Sequence, residues 1–239
     1  MKRPAGEGII LAAGAGTRLG ELGRRSSKAM VSLAGRPLIA HVIERLAAAG
    51  IGRLIVVRHE SDAALAEFLA ARYPRAQIAV QRERRGIADA LAGALPLLGN
   101  APAYLACACD SLYAPDDIAA VAGAGADGDT AIGILKMDAA ATASRSAVLV
   151  EGMRVVALVE KPVAGTIASD LVAAPLYWLT RAVDPLLGAA GAGAERYITT
   201  ALAAHLAAGG TVRAVRLRGR IEVTTAADVA AAERTLARR

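Results

Sequence analysis

Aromatic side chains are scarce in this 239-residue chain: Phe, Trp and Tyr together make up 3%, with a single Phe and a single Trp. A groove that binds single strands stacks bases on such rings, and little material for one exists here. The formal charge is +6, yet outside 24–25, 82–85, 213–220 and the last two residues the Lys and Arg residues are scattered. That pattern fits a solvated surface, and a small anionic substrate accounts for the charge as well as nucleic acid would. Cysteine is equally rare. Cys107 and Cys109, the only two, lie in "YLACACD"; one residue apart on a strand, they point to the same face and cannot bond without strain. With no CxxC and no second ligand pair, zinc is excluded and both read as small buried hydrophobes of a reducing compartment. No apolar run reaches membrane-spanning length, and "MKRPAGEGIIL" lacks the long apolar stretch of a signal peptide. The expectation is a soluble, cytoplasmic protein with no nucleic-acid and no membrane partner.

What the chain does have is alternation. "EGIILAA" (7–13), "RLIVV" (53–57), "AQIAV" (76–80) and "AYLACAC" (103–109) read as buried strands. Between and after them fall helical segments at 36–50, 61–73, 87–98 and 115–124, the second opening on Ser61 as its candidate cap. This rhythm predicts βαβ units and a parallel sheet covered on both faces. From residue 130 the pattern changes to strands at 130–136, 146–151, 154–160, 170–179 and 211–223, with "EGMR" as a hairpin turn. Helices follow at 195–209 and after Thr225. The three histidines, His41, His59 and His205, fall on expected helix or loop surfaces, and no Cys, Ser or His arrangement points to a covalent intermediate. No repeat or linker divides the chain. One α/β domain is expected, with a three-layer α/β/α architecture and a mixed, mostly parallel central sheet. Residues 1–125 would form one half and 126–239 the other. The apolar late strands leave room for a homo-oligomer.

The chemistry begins at "LAAGAGTRLG" (11–20). It is not a dinucleotide fingerprint, because Gly14 and Gly16 are followed by Leu19 where a third glycine is required. No Walker spacing occurs in the chain. The glycines let a backbone approach a phosphate closely, and by themselves fit a plain strand-to-helix turn equally well. Arg18, with Lys28 ten residues later, adds fixed positive charge suited to a polyphosphate.

The stretch "IILAAGAGTRLGELGRRSSKAMVSLAGRPLIAHVIERLAAAGI" resembles the amino-terminal signature of the nucleoside-diphosphate-sugar pyrophosphorylases, the sugar-1-phosphate nucleotidyltransferases with a Rossmann-like fold. Later segments, to about residue 233, are similar too: "QRERRGIADAL" to a base-contacting stretch, "YLACACDSLY" to the strand bearing a metal-binding aspartate, "VEKP" to a sugar-phosphate-binding motif, and "AERYITTAL" to a sugar-binding one. The resemblance implies transfer of a nucleotidyl group from a nucleoside triphosphate to a sugar-1-phosphate, with Mg²⁺ and release of pyrophosphate. It implies nucleotide binding by Leu11, Ala12, Ala13, Gly14, Ala15, Gly16, Thr17 and Arg18, and by Gln81, Gly86, Ile87 and Ala88. It assigns catalysis to Arg18, Lys28 and Asp110, the metal to Asp110 and Glu222, and the acceptor to Ser146, Glu160, Lys161 and Glu195. Asp110 taken alone is also a turn or N-cap aspartate, Lys161 a strand-end lysine, and Glu195 a capping residue.

Several departures matter, those at Cys109, Pro175 and Ser146 falling around the acceptor. Glu222 stands where the family has its second metal-binding aspartate, Arg220 replaces a tryptophan, Cys109 and Ser146 replace glycines, Pro175 replaces the glycine of "AGIY", and Ile87 replaces a threonine. The rival readings are a cytidylyltransferase acting on phosphocholine, inositol phosphate or methylerythritol phosphate, and a regulatory domain that binds nucleotide without turnover. The ten-residue Arg-to-Lys spacing disfavours the methylerythritol and molybdenum-cofactor branches, and the retained charged set disfavours the regulatory domain.

Overall fold

The computed structural model describes residues 6–20, 27–138, 142, 144–163, 167, 169–188 and 195–237. The basic residues at 24–25 and most of the loop at 188–194 lie outside these. The strands of the first half are β1 (Gly6–Leu11), β2 (Ser32–Leu33), β3 (Arg36–Pro37), β4 (Ile51–His59), β5 (Gln77–Gln81), β6 (Ala103–Ala108) and β7 (Ser111–Leu112). Its helices are α1 (Leu38–Ala48), α2 (Ala63–Arg72), α3 (Ile87–Ala94) and α4 (Pro115–Ala124). The second half holds β8 (Thr130–Lys136), β9 (Ser146–Glu151), β10 (Arg154–Glu160) and β11 (Leu171–Thr180), then α5 (Asp184–Leu187), α6 (Ile198–Ala207), β12 (Val212–Arg216), β13 (Ile221–Glu222) and α7 (Ala226–Leu236).

Nine strands form one sheet in the order β5-β4-β1-β6-β11-β8-β12-β10-β9. The pairs β5–β4, β4–β1, β1–β6 and β8–β12 are parallel. The pairs β6–β11, β11–β8, β12–β10 and β10–β9 are antiparallel. The parallel pairs therefore fall in the first half together with β8–β12, and the other pairs of the second half are antiparallel. The cause is connectivity, since β9 and β10 are joined by a two-residue turn at Gly152 that only an antiparallel pair accepts.

Strand alternation divides the core into two faces. Ile9 packs with Leu91, Leu187, Ile198 and Leu202 on one side, beneath α3, α5 and α6. Ile10 packs with Leu38, Leu46, Leu65 and Ile118 on the other, beneath α1, α2 and α4. Cys107 and Cys109 do share a face, and both are free and buried. Burial pushes the Cys107 thiol up to about 12, with the Asp110 carboxylate adding to the effect.

Several local expectations are corrected. Asp62, not Ser61, caps α2: its carboxylate accepts from Leu65 N at 3.1 Å, while the Ser61 hydroxyl turns to the His59 ring. The strand expected at 211–223 breaks after Arg216, and the chain turns through Gly219 before β13. Pro96 converts the end of the 87–98 helix to a 3₁₀ turn at Leu95–Leu97. Pro175 sits inside a central strand, where the β11–β8 register shifts between Ala173 and Tyr177, so the missing N–H falls in a bulge. His41 and His205 are buried rather than exposed. His41 Nε2 bonds the Leu33 carbonyl at 2.8 Å, which makes burial of a polar ring affordable.

Candidate active site

The carboxyl ends of β1 and β6, parallel neighbours in the sheet, open onto one cavity, the place where open parallel sheets hold ligands. After β1 the chain leaves the sheet at Ala12, whose N–H still bonds Val57 O at 2.8 Å. Gly14 to Arg18 then arch over a cavity of about 250 Å³. Gly16 adopts φ 64°, a left-handed turn that favours glycine, and packs on Lys28. The N–H groups of Gly14, Ala15 and Gly16 donate to no backbone carbonyl among the described residues. Arg18 is exposed beside them, without an ion pair among those residues. A loop of free amide donors next to a guanidinium is an anion cradle.

Lys28 lines the same cavity. Its side chain is 11% exposed and its Nζ lies 2.6 Å from Asp110 Oδ2. Asp110 follows β6, accepts the Ser111 hydroxyl on Oδ1 at 3.0 Å, and holds Val223 N through its carbonyl at 2.8 Å. It caps no helix, since Ala114 precedes α4. Arg18, Lys28 and Asp110 thus line one cavity, together with Thr224.

Beside it a second cavity of about 340 Å³ contains Gln81 and Asp89. Gln81 Nε2 donates to Asp89 Oδ2 at 3.0 Å and to Gly86 O at 3.4 Å, leaving its carbonyl oxygen as the available acceptor. Arg84 Nε donates to Ala13 O at 3.0 Å and ties this basic segment to the glycine loop. Gly86 starts α3 with φ 95° and ψ −178°. It lies against Arg196, whose N donates to Arg85 O at 2.6 Å and whose carbonyl accepts from Ala88 N at 3.1 Å.

The acceptor candidates occupy the far side. Ser146 and Glu160 face each other across β9 and β10. Glu160 Oε2 accepts Ser146 Oγ at 2.5 Å and Thr199 Oγ1 at 2.7 Å. Lys161 holds φ 42°, a strained setting for a non-glycine residue, and its Nζ donates to Tyr197 OH at 2.9 Å while lying 4.8 Å from the ring centre. Glu195 accepts the same hydroxyl at 2.5 Å and sits 3.8 Å from Lys161 Nζ. The Tyr197 hydroxyl, aided by Glu195 and Glu160, raises the pKa of Lys161, so it remains a cation throughout the neutral range.

Glu222 pairs with Ser111 across β13 and β7, next to Asp110. Its carboxylate, however, is held by two arginines: Arg220 Nη2 at 2.6 Å and Arg145 Nη2 at 3.0 Å. A Mg²⁺ ion takes one or two carboxylates plus substrate oxygens at about 2.0–2.1 Å. Asp110 fits that donor set, being part-exposed in the cavity beside the anion cradle. Glu222 does not, because a divalent cation on its oxygens would stand against two guanidiniums. No group of three or more His, Cys, Asp or Glu suited to a metal occurs among the described residues. Sequence reasoning missed Arg145, Tyr197, Thr199, Asp89 and Arg196. Asp89 falls within "QRERRGIADAL" and Arg196, Tyr197 and Thr199 within "AERYITTAL", but the contacts Asp89 to Arg196, Tyr197 to Lys161 and Thr199 to Glu160 join distant segments; Arg145 meets Glu222 77 residues away and carried no such mark.

A strand, a glycine loop, a distant lysine and an aspartate beyond β6 thus meet at one cavity of an α/β fold. The chain belongs to the nucleotidyl transferase family, whose model matches residues 7–218. It is similar to the bifunctional protein GlmU of Pelotomaculum thermopropionicum, 29% identical over 248 residues covering 97% of this chain and 52% of the relative. GlmU of Burkholderia mallei is 41% identical over 92 residues, 38% of this chain and 19% of that one. The chain therefore spans about half the length, or less, of these curated relatives. Among solved structures, a UDP-glucose pyrophosphorylase complexed with UDP-glucose superposes with a TM-score of 0.86 at 19% identity, over 98% of both chains. An inositol-1-phosphate CTP transferase from T. maritima gives 0.80 at 19%, over 95% and 93%. At such identities the likeness is one of fold.

Proposed function

We propose that this chain transfers a nucleotidyl group from a nucleoside triphosphate to a sugar-1-phosphate. The observation that carries the reading is the cavity shared by the free amides of the glycine loop, Arg18, Lys28 and Asp110. An oxygen of the acceptor phosphate attacks the α-phosphorus, the new P–O bond forms, the bond to the β-phosphate breaks, and pyrophosphate leaves. Both reactants are anions, so the protein's work is to align them and offset their repulsion. The loop and Arg18 hold the triphosphate. Lys28 stands at the α-phosphate and the nucleophile, while Gln81 meets the base and Lys161 grips the acceptor phosphate.

Asp110 would hold Mg²⁺, which when bound polarises phosphate oxygens. Residues 1–125 then form the nucleotide-holding half and 126–239 the acceptor half of one domain, working in the cytoplasm. The test is a matrix of nucleoside triphosphates against sugar-1-phosphates, phosphocholine and inositol phosphate, read by pyrophosphate release with Mg²⁺ and with Asp110→Ala as control. Release confined to sugar-1-phosphates supports the reading. Release only with the non-sugar phosphates, or tight nucleotide binding with no release, overturns it.

A further inference from the structure

Glu222 is held by two arginines, as Asp89 is by Arg85 and Arg196, but at shorter range. Arg220 is the inner one, with its side chain 5% exposed, and it directs Nη2 to Glu222 Oε2 at 2.6 Å. Arg145 is the outer one, 32% exposed, reaching the same carboxylate with Nη2 at 3.0 Å and Nη1 at 3.4 Å. One carboxylate therefore serves two cations, and the outer guanidinium keeps donors to spare. The Glu160 carboxylate does not make up the difference, since it forms no ion pair among the described residues and its Oε2 is taken by two hydroxyls.

The backbone fixes where this donor stands. Lys161 N donates to Arg145 O at 3.0 Å, so two basic residues from the start of β9 and the end of β10 lie side by side. Glu222 faces Ser111 on the neighbouring strand, one residue from Asp110. Arg145 thus spans the gap between the Asp110 side of the crevice and the Lys161 side. A planar fork held in place by a carboxylate is suited to a phosphate that must lie between them.

We propose that Arg145 binds the acceptor phosphate, and that Glu222 is a positioning residue that aims this arginine instead of ligating the metal. The inference rests on the transferase reading above. On this account Asp110 is the protein's one carboxylate on the divalent cation, with the triphosphate oxygens completing the set.

Two measurements on the full chain test it, both independent of base and sugar identity. The first follows Mn²⁺ binding by electron paramagnetic resonance with inorganic tripolyphosphate filling the loop. Asp110→Asn is expected to weaken Mn²⁺ by about 10- to 100-fold, whereas Glu222→Gln stays within about threefold, the effect of one screened charge. Equal losses in the two variants overturn the proposal. The second titrates glucose 1-phosphate and inorganic phosphate by calorimetry. Arg145→Gln is expected to weaken both by roughly 10- to 100-fold, the scale of charge-assisted hydrogen bonds. Arg145→Lys recovers part of the loss, and Glu222→Gln loses affinity because Arg145 is no longer aimed. Phosphate affinity unmoved by Arg145→Gln, or no phosphate binding by the wild type, overturns the assignment. Failure of the transferase reading looks different: Arg145-dependent phosphate binding persists while no pair of substrates releases pyrophosphate. Thermal melting of each variant separates these effects from loss of the fold.

Discussion

Gly86→Ala is the sharpest test of how the two sides of the crevice are held together. The residue sits at φ 95° and ψ −178°, a region that essentially only glycine enters, and an alanine held there costs about 1–3 kcal/mol. Its Cβ would also stand 2.5 Å from Arg196 O and 2.8 Å from Arg196 N, distances no real Cβ tolerates. Both contacts are backbone, so no side chain can swing aside. The 195–197 segment must instead retreat, which strains or breaks the bonds Arg196 N to Arg85 O and Ala88 N to Arg196 O. Each such bond contributes about 1 kcal/mol. The expected loss is about 3 kcal/mol, which for a chain of this size lowers Tm by about 6–12 °C. Denaturant unfolding followed by circular dichroism measures it, with Gly93→Ala as the comparison, since a Cβ there meets nothing within 4 Å. Because Glu195 moves with Arg196, Gly86→Ala should also raise the KM for the acceptor. A stability within about 0.5 kcal/mol of the wild type, the range of an ordinary surface substitution, would refute the clamp.

Other outcomes follow from the same geometry. Lys28→Met should cut pyrophosphate release about 10²–10³-fold, as expected when a positioned transition-state contact is lost; a variant with the wild-type rate removes Lys28 from the reaction. Cys107 and Cys109 should resist thiol reagents at pH 8 in the native protein and react once it is unfolded. Burial, reinforced by Asp110, suppresses both thiolates. Thr225→Ala removes a capping box in which the Thr225 side chain accepts from Asp228 N at 3.2 Å, and should cost about 1 kcal/mol. Asp228 gives this end of α7 a pH dependence. Burial disfavours its charge, but the N–H groups of Thr225 and Thr224 outweigh that and depress its pKa. A depressed carboxyl contributes stability above its ordinary range and loses it as pH falls through the depressed value. Asp228→Asn should therefore flatten the acid limb of the stability–pH curve below about pH 4, and an unchanged limb would rule this contribution out.

How much could be read from the sequence depends on the reach of each interaction. β1, β6, β9 and β10 emerge almost where the apolar periodicity puts them, because a strand's pattern is written in its own residues. The pair Ser61 and Asp62 marks the first limit. Both are good caps, and the outcome was decided by a competing acceptor for the serine, the His59 ring, which belongs to β4. His41 marks the second: its place on α1 was visible, but burial depended on the Leu33 carbonyl offered by the β2–β3 turn. At the site, the glycine loop and the Arg18-to-Lys28 spacing were legible because a phosphate cradle is a local device. The Arg145–Glu222–Arg220 cluster was not, since it joins residues 77 positions apart across β13 and a strand start. Glu222 illustrates the physical reason. A carboxylate's role is set by the charges brought against it, and its position beside Asp110 was consistent with a metal ligand until two guanidiniums were seen to occupy it. The glycine loop is written in one contiguous stretch, 11–18, although Lys28, Gln81 and Asp110 join the site from elsewhere in the chain. The acceptor side is assembled from four separate ones, so a single substitution there has no local signature and is read only from the folded chain.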